Sequence, residues 1–207
     1  MKSASLVALA VLLTFCFALT NPATASNTVD FSNGGGTLSG TNAGLSLSGS
    51  TLIAITGLNG GGMITGNLGS VSFNTGALIN GSLQQGGTFA GGGSFTITGN
   101  GTNGVPNGVL FSGMFSGNVT WTLTTLANHT HNYTLTGVLS GMMGTTSIGA
   151  VTTQLTVNTG KGFFSGSADI SGGDTTVSSV PEPSTLGFFM TGGLGILGMA
   201  RRKLLSR

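Results

Sequence analysis

Between Ser26 and Val180 the chain alternates. Val119, Trp121 and Leu123 are interleaved with Thr120, Thr122 and Thr124, and Tyr133, Leu135 and Leu139 share one phase around Thr134, Thr136 and Gly137. Shorter alternating pieces fall at Leu45–Ser48, Val71–Asn74, Phe95–Thr98, Gln154–Val157 and Ser165–Ile170. Alternation puts one residue set on each face of an extended strand, and β-branched and aromatic residues suit a half-buried pleated surface. Helical periodicity is almost absent from this span. Asn-Gly pairs at Asn59-Gly60, Asn80-Gly81, Asn100-Gly101 and Asn107-Gly108 punctuate it; both residues tolerate positive φ, which favours tight hairpins. The pattern predicts an all-β domain of eight to twelve strands, an antiparallel sandwich or a partly closed barrel. A β-solenoid is the alternative, although no fixed repeat period is visible.

Glycine tests that reading. The chain holds 39 glycines, far above the usual 7% or so. Disorder requires low hydrophobicity and usually high net charge, whereas this span has regular apolar positions and almost no charge. Disorder remains the competing expectation only for Asn33–Thr41 and Gly60–Gly66.

Charge is segregated to the ends. Charged residues make up 5% of the chain and the formal net charge is +2, but Lys2 lies at one end and Arg201, Arg202, Lys203 and Arg207 at the other. Between Ser26 and Val180 stand only Asp30, Lys161, Asp169 and Asp174. A nucleic-acid surface needs several cations on one face, so the basic pI carries no such meaning. The one cysteine, Cys16, lies in an N-terminal apolar run, which leaves the exported product without disulfides.

Both ends read as addresses. Lys2, an uncharged run from Ala4 to Leu19, and Ala23-Thr24-Ala25 follow the order of a secretory signal peptide. Cleavage after Ala25 divides residues 1–25 from an exported domain, 26–179. The run is short for an uncleaved membrane anchor, and bulky Phe15 before Cys16 argues against a lipoprotein site. At the other end, residues 180–207 contain Val180-Pro181-Glu182-Pro183, an uncharged stretch over 185–200, and a basic end over 201–207. Leu186, Phe188, Phe189, Met190, Leu194, Ile196 and Leu197 supply the apolar surface of a short transmembrane helix. Arg201, Arg202 and Lys203 act as a stop-transfer signal that stays cytoplasmic. A permanent span usually takes about 20 apolar residues, and Gly192, Gly193, Gly195 and Gly198 weaken this helix by roughly 1 kcal/mol each relative to Ala. These properties describe a temporary anchor.

Val-Pro-Glu-Pro, an apolar helix and a terminal Arg-Arg-Lys cluster resemble the PEP-CTERM sorting signal of Gram-negative bacteria, a segment also described as an ice-binding protein C-terminal domain. The resemblance covers the tail alone. It implies secretion, a precursor held transiently in the inner membrane, and processing by the peptidase exosortase. It further implies a mature form at the cell surface or secreted, in association with exopolysaccharide and biofilm.

The domain itself offers little chemistry. Gly99-Asn100-Gly101-Thr102-Asn103-Gly104 matches G-x-G-x-x-G by letter, but a turn, Val105-Pro106-Asn107-Gly108, follows where a phosphate site needs a helix. His129 and His131 would share a face of a strand, yet no carboxylate or cysteine is near in sequence, and a polar loop is the expectation. Asp169 and Asp174 form a weak calcium candidate, and five residues apart they make a poor glycosidase pair. The G-x-S-x-G elbow of hydrolases is absent, and sequons at Asn118, Asn128 and Asn132 arise freely in Thr-rich strands. No catalytic residue, cofactor or resident metal is expected. Thr120, Thr122 and Thr124 form an outward row, with Thr96/Thr98 and Thr134/Thr136 as candidate neighbours. The leading expectation is a structural or adhesive envelope protein working against polysaccharide. An ice-binding or other ligand-binding module comes second, and a hydrolase last.

Overall fold

The alternation is realised strand by strand in the computed structural model, which describes residues 28–178. Twelve strands follow one another: β1 (Thr28–Gly34), β2 (Thr37–Thr41), β3 (Gly44–Thr56), β4 (Met63–Asn74), β5 (Leu78–Ser82), β6 (Gly86–Phe89), β7 (Gly92–Asn100), β8 (Asn107–Phe115), β9 (Val119–Thr125), β10 (His131–Met143), β11 (Thr146–Asn158) and β12 (Ser167–Ser178). They form a single sheet in which every pairing is antiparallel. One sheet replaces the two of the expected sandwich, and antiparallel pairing throughout excludes the solenoid alternative.

The pairings return on themselves. From β1 they run through β3, β4, β7, β8, β10, β11 and β12, and β12 pairs with β1 again. Each strand of this circuit has a partner on either side over at least part of its length, which limits the exposed edges that invite aggregation. A branch leaves β10 through β9 and β6 and ends at β5.

Two stretches expected to be doubtful are ordered. Asn33–Thr41 spans the end of β1 and all of β2, which both pair with β3 and β12 and are interrupted at Gly35-Gly36. Gly36 is required there: its φ is +83°, and a Cβ would stand 2.5 Å from the backbone nitrogen of Ser50. The glycines that looked like disorder are a break in a two-part strand. Gly60–Gly66 likewise divides into a turn after a single 3-10 turn at Leu58–Gly60 and the start of β4. Of the Asn-Gly pairs, Asn59-Gly60 makes a turn with φ of 53° and 74°, whereas Asn80-Gly81 lies within β5 and Asn107-Gly108 opens β8. The turn between β7 and β8 uses Asn103-Gly104 instead, with φ of 52° and 81°.

The inward phase fills the interior with one apolar cluster. Phe73 and Phe95 stack at 5.7 Å, and Phe115 meets both edge-on. A second aromatic group joins Trp121 and Tyr133, stacked at 4.9 Å, with Phe164 against the indole at 5.4 Å. Both polar handles are satisfied, as buried aromatics require: Trp121 Nε1 donates to the Leu83 carbonyl at 2.9 Å, and the Tyr133 hydroxyl donates to the Gln84 carbonyl at 2.7 Å. Those bonds tie the β5–β6 turn over the core. With apolar residues inside and Thr and Ser outside, the pattern is the inverse of a membrane-spanning β-barrel.

Candidate binding face

Threonines of the outward phase are brought together by register. Thr120 of β9 lies opposite Thr136 of β10, Thr136 opposite Gln154 of β11, Gln154 opposite Asp174 of β12, and Asp174 opposite Ser32 of β1. One row of polar side chains thus crosses five strands. On one side of it Thr122, Thr134 and Thr156 form a second row, and on the other Val138, Thr152, Thr176 and Asp30 form a third. Thr134/Thr136 therefore do lie beside Thr120 and Thr122. Thr96/Thr98 do not: they sit on β7, which pairs with β4 and β8 and has no pairing with β9 or β10.

The rows are not flat. A depression of about 500 Å³ opens over them, lined by Asn118, Thr120, Thr136, Val138, Thr152, Gln154, Asp174 and Thr176 and reaching the backbone of Gly137. Gly137 belongs to the inward phase, and a Cβ on it would come within 2.7 Å of the Phe115 ring. The large aromatic beneath is accommodated by removing the side chain above it.

Two carboxylates meet at the β1–β12 side of this face. The Thr176 hydroxyl donates to Asp30 Oδ1 at 2.9 Å and the Ser32 hydroxyl donates to Asp174 Oδ1 at 3.1 Å. Asp174 has its proton affinity raised above the ordinary carboxylate value, first by burial and then by the negative charge of Asp30, against the Ser32 hydrogen bond that lowers it. Sequence reasoning paired Asp174 with Asp169 instead. The structure separates those two, since Asp169 accepts from the Thr37 hydroxyl at 3.2 Å beside β2. Asp30 and Asp174 are 144 positions apart, and only the pairing of the first strand with the last joins them.

The other candidates disperse. His129 is exposed in a turn at φ 62°. His131 starts β10, is buried, stacks on Phe163 at 4.4 Å and lies 3.1 Å from the Thr125 hydroxyl through Nδ1. The expected loop pair is thus half strand. Among the described residues no three His, Cys, Asp or Glu side chains converge to hold a metal. Gly99–Gly104 runs from the end of β7 into a turn, with no helix to receive a phosphate. Asn128 accepts from the backbone and hydroxyl of Thr130, and Asn132 accepts from Asn158 at 2.6 Å.

The addressing residues lie outside the described residues. These are Ala23 and Ala25; Val180, Pro181, Glu182 and Pro183; the apolar set from Leu186 to Leu197; and Arg201, Arg202 and Lys203. Comparison with known families reaches all of these except Ala23 and Ala25. Residues 179–203 match the PEP-CTERM protein-sorting motif, and β12 ends at Ser178, so the matched segment begins where the sheet stops. The chain carries a PEP-CTERM sorting motif, which implies export and exosortase-dependent sorting to the cell surface. No curated protein and no solved structure matches the chain.

Proposed function

We propose that the chain is a non-enzymatic structural or adhesive protein of the cell surface or extracellular matrix, delivered by its tail and working in contact with exopolysaccharide. The precursor is held in the inner membrane by 185–200, with the β domain, 26–179, outside. The circuit of pairings is read as a small closed barrel whose filled interior serves stability and whose exterior serves contact. One observation carries this reading: a sorting motif at 179–203 follows directly on a β domain in which β9 to β12 present rows of hydroxyl and amide side chains with no cation among them. Hydroxyls and amides exchange hydrogen bonds with sugars and are indifferent to salt, unlike ion pairs.

The ice-binding alternative needs a flat, regular threonine plane. Gln154 and Asp174 interrupt the threonine row, and the depression over it curves the face, so polysaccharide is the better-supported partner. Expression of the full chain in an exopolysaccharide-producing host that has exosortase, followed by matrix extraction and detection with an antibody to the domain, tests the reading. Recovery in the matrix, and its loss when the host makes no polysaccharide, is the expected result. Recovery in the medium regardless of polysaccharide would overturn it.

A further inference from the structure

We propose that the depression over β9–β12 is a glycan-binding trough, in which an uncharged polysaccharide chain lies across the strands and is held by Thr120, Thr136, Gln154 and Asp174. The proposal deepens the matrix reading and rests on it for the class of partner.

Geometry is the first argument. The four side chains stand on four neighbouring strands at one level of the sheet, so they recur at the strand spacing of about 4.8 Å. That is close to the advance of one pyranose unit along an extended chain, so successive sugars meet successive strands. The backbone at Thr136, Gln154 and Asp174 is paired on both sides, and a rigid platform spares the ligand the cost of ordering its site.

Donor and acceptor chemistry is the second. Threonine hydroxyls both donate and accept, the Gln154 amide does both, and the Asp174 carboxylate accepts; sugar hydroxyls pair with all three. Val138, 44% exposed on the adjacent row, offers an apolar contact for the C–H face of a ring. Trp121 and Tyr133 are both buried in the core, so the trough works edge-on through hydrogen bonds and not by stacking.

Charge supplies the selectivity. No cation lines the trough, and Asp174 with Asp30 beside it puts negative charge at one end. An acidic glycan would bring like charge against these carboxylates, which rejects uronate-rich or sulfated chains.

The test uses purified full-length chain on an array of neutral, amine-bearing and carboxylated hexasaccharides. Neutral hexasaccharides should bind, Thr136→Arg should weaken that binding at least tenfold by filling the trough, and Gln154→Ala should weaken it severalfold. Ser72→Arg, an outward position on β4 away from the trough, should leave it unchanged, and all three variants should melt as the parent does. Absence of neutral-glycan binding, preference for carboxylated glycans, or binding indifferent to Thr136→Arg would overturn the proposal. Matrix recovery of the parent chain separates the two levels. If the parent is retained in the matrix but the array result fails, the trough is wrong and the matrix reading stands. If the array result holds but the parent is not retained, the trough stands and the matrix reading falls.

Discussion

Thr28 and Ser178 lie directly opposite one another in the antiparallel β1–β12 pair. β1 and β12 are therefore cross-strand neighbours, and the circuit of pairings is closed by β12. Because β12 also pairs with β2 and β11, it is a partner to three strands and not a dispensable edge.

Closure predicts an all-or-none dependence on that strand. Deleting 167–178 exposes one side each of β1, β2 and β11 and removes Ile170 and Val177, both buried in the core. The truncated chain should lose its cooperative melting transition and be degraded or aggregate. A truncation that melts cooperatively near the parent temperature would show that the circuit is not needed.

Trp121 is the sharpest probe of the interior. It is 1% exposed, stacked on Tyr133 and bonded through Nε1 to the Leu83 carbonyl. Replacing it with Ala should cost about 3–5 kcal/mol in denaturant unfolding, because a cavity opens and the β5–β6 turn loses one of its two ties. A change under about 1 kcal/mol would contradict the buried phase of β9.

Asp174 predicts an unusual pH dependence. A carboxyl with a raised folded pKa is bound by its proton more tightly in the native state than in the unfolded one. Ionising it therefore opposes folding. The penalty is absent below the ordinary value of 3.8, grows between 3.8 and the raised folded value, and is complete above it. Across that window Asp174 works to lower stability as pH rises, contrary to the usual paired carboxylate. Asp174→Asn should remove this component, so the difference between parent and variant stability curves should fall in that window. A variant curve parallel to the parent throughout would refute the raised proton affinity of Asp174 in its partly buried site beside Asp30.

The tail predicts two processed ends. N-terminal sequencing of the exported protein should begin near Ser26, and mass determination should find the tail removed near Pro181-Glu182-Pro183 in a host that has exosortase. A host without the enzyme should retain the precursor in its membrane. A mature protein that keeps residues through Arg207 in a competent host would make the tail a plain anchor.

Local pattern alone was enough for the strands, their buried phase and the sorting tail. Trp121, Leu135 and Val157 announce their inward face because side chains alternate with a period of two, and Val-Pro-Glu-Pro with its apolar and basic followers is contiguous. Glycine misled at Asn33–Thr41, since a positive φ at Gly36 is set by the approach of Ser50, which no local window contains. The same reason hid the face. Register between β9, β10, β11, β12 and β1 decides that Thr136, Gln154, Asp174 and Ser32 share a row, and that Asp30 rather than Asp169 is the charge beside Asp174. Sequence determined which residues point outward; the closure of the sheet, a sum of long-range pairings and core packing, decided which of them meet.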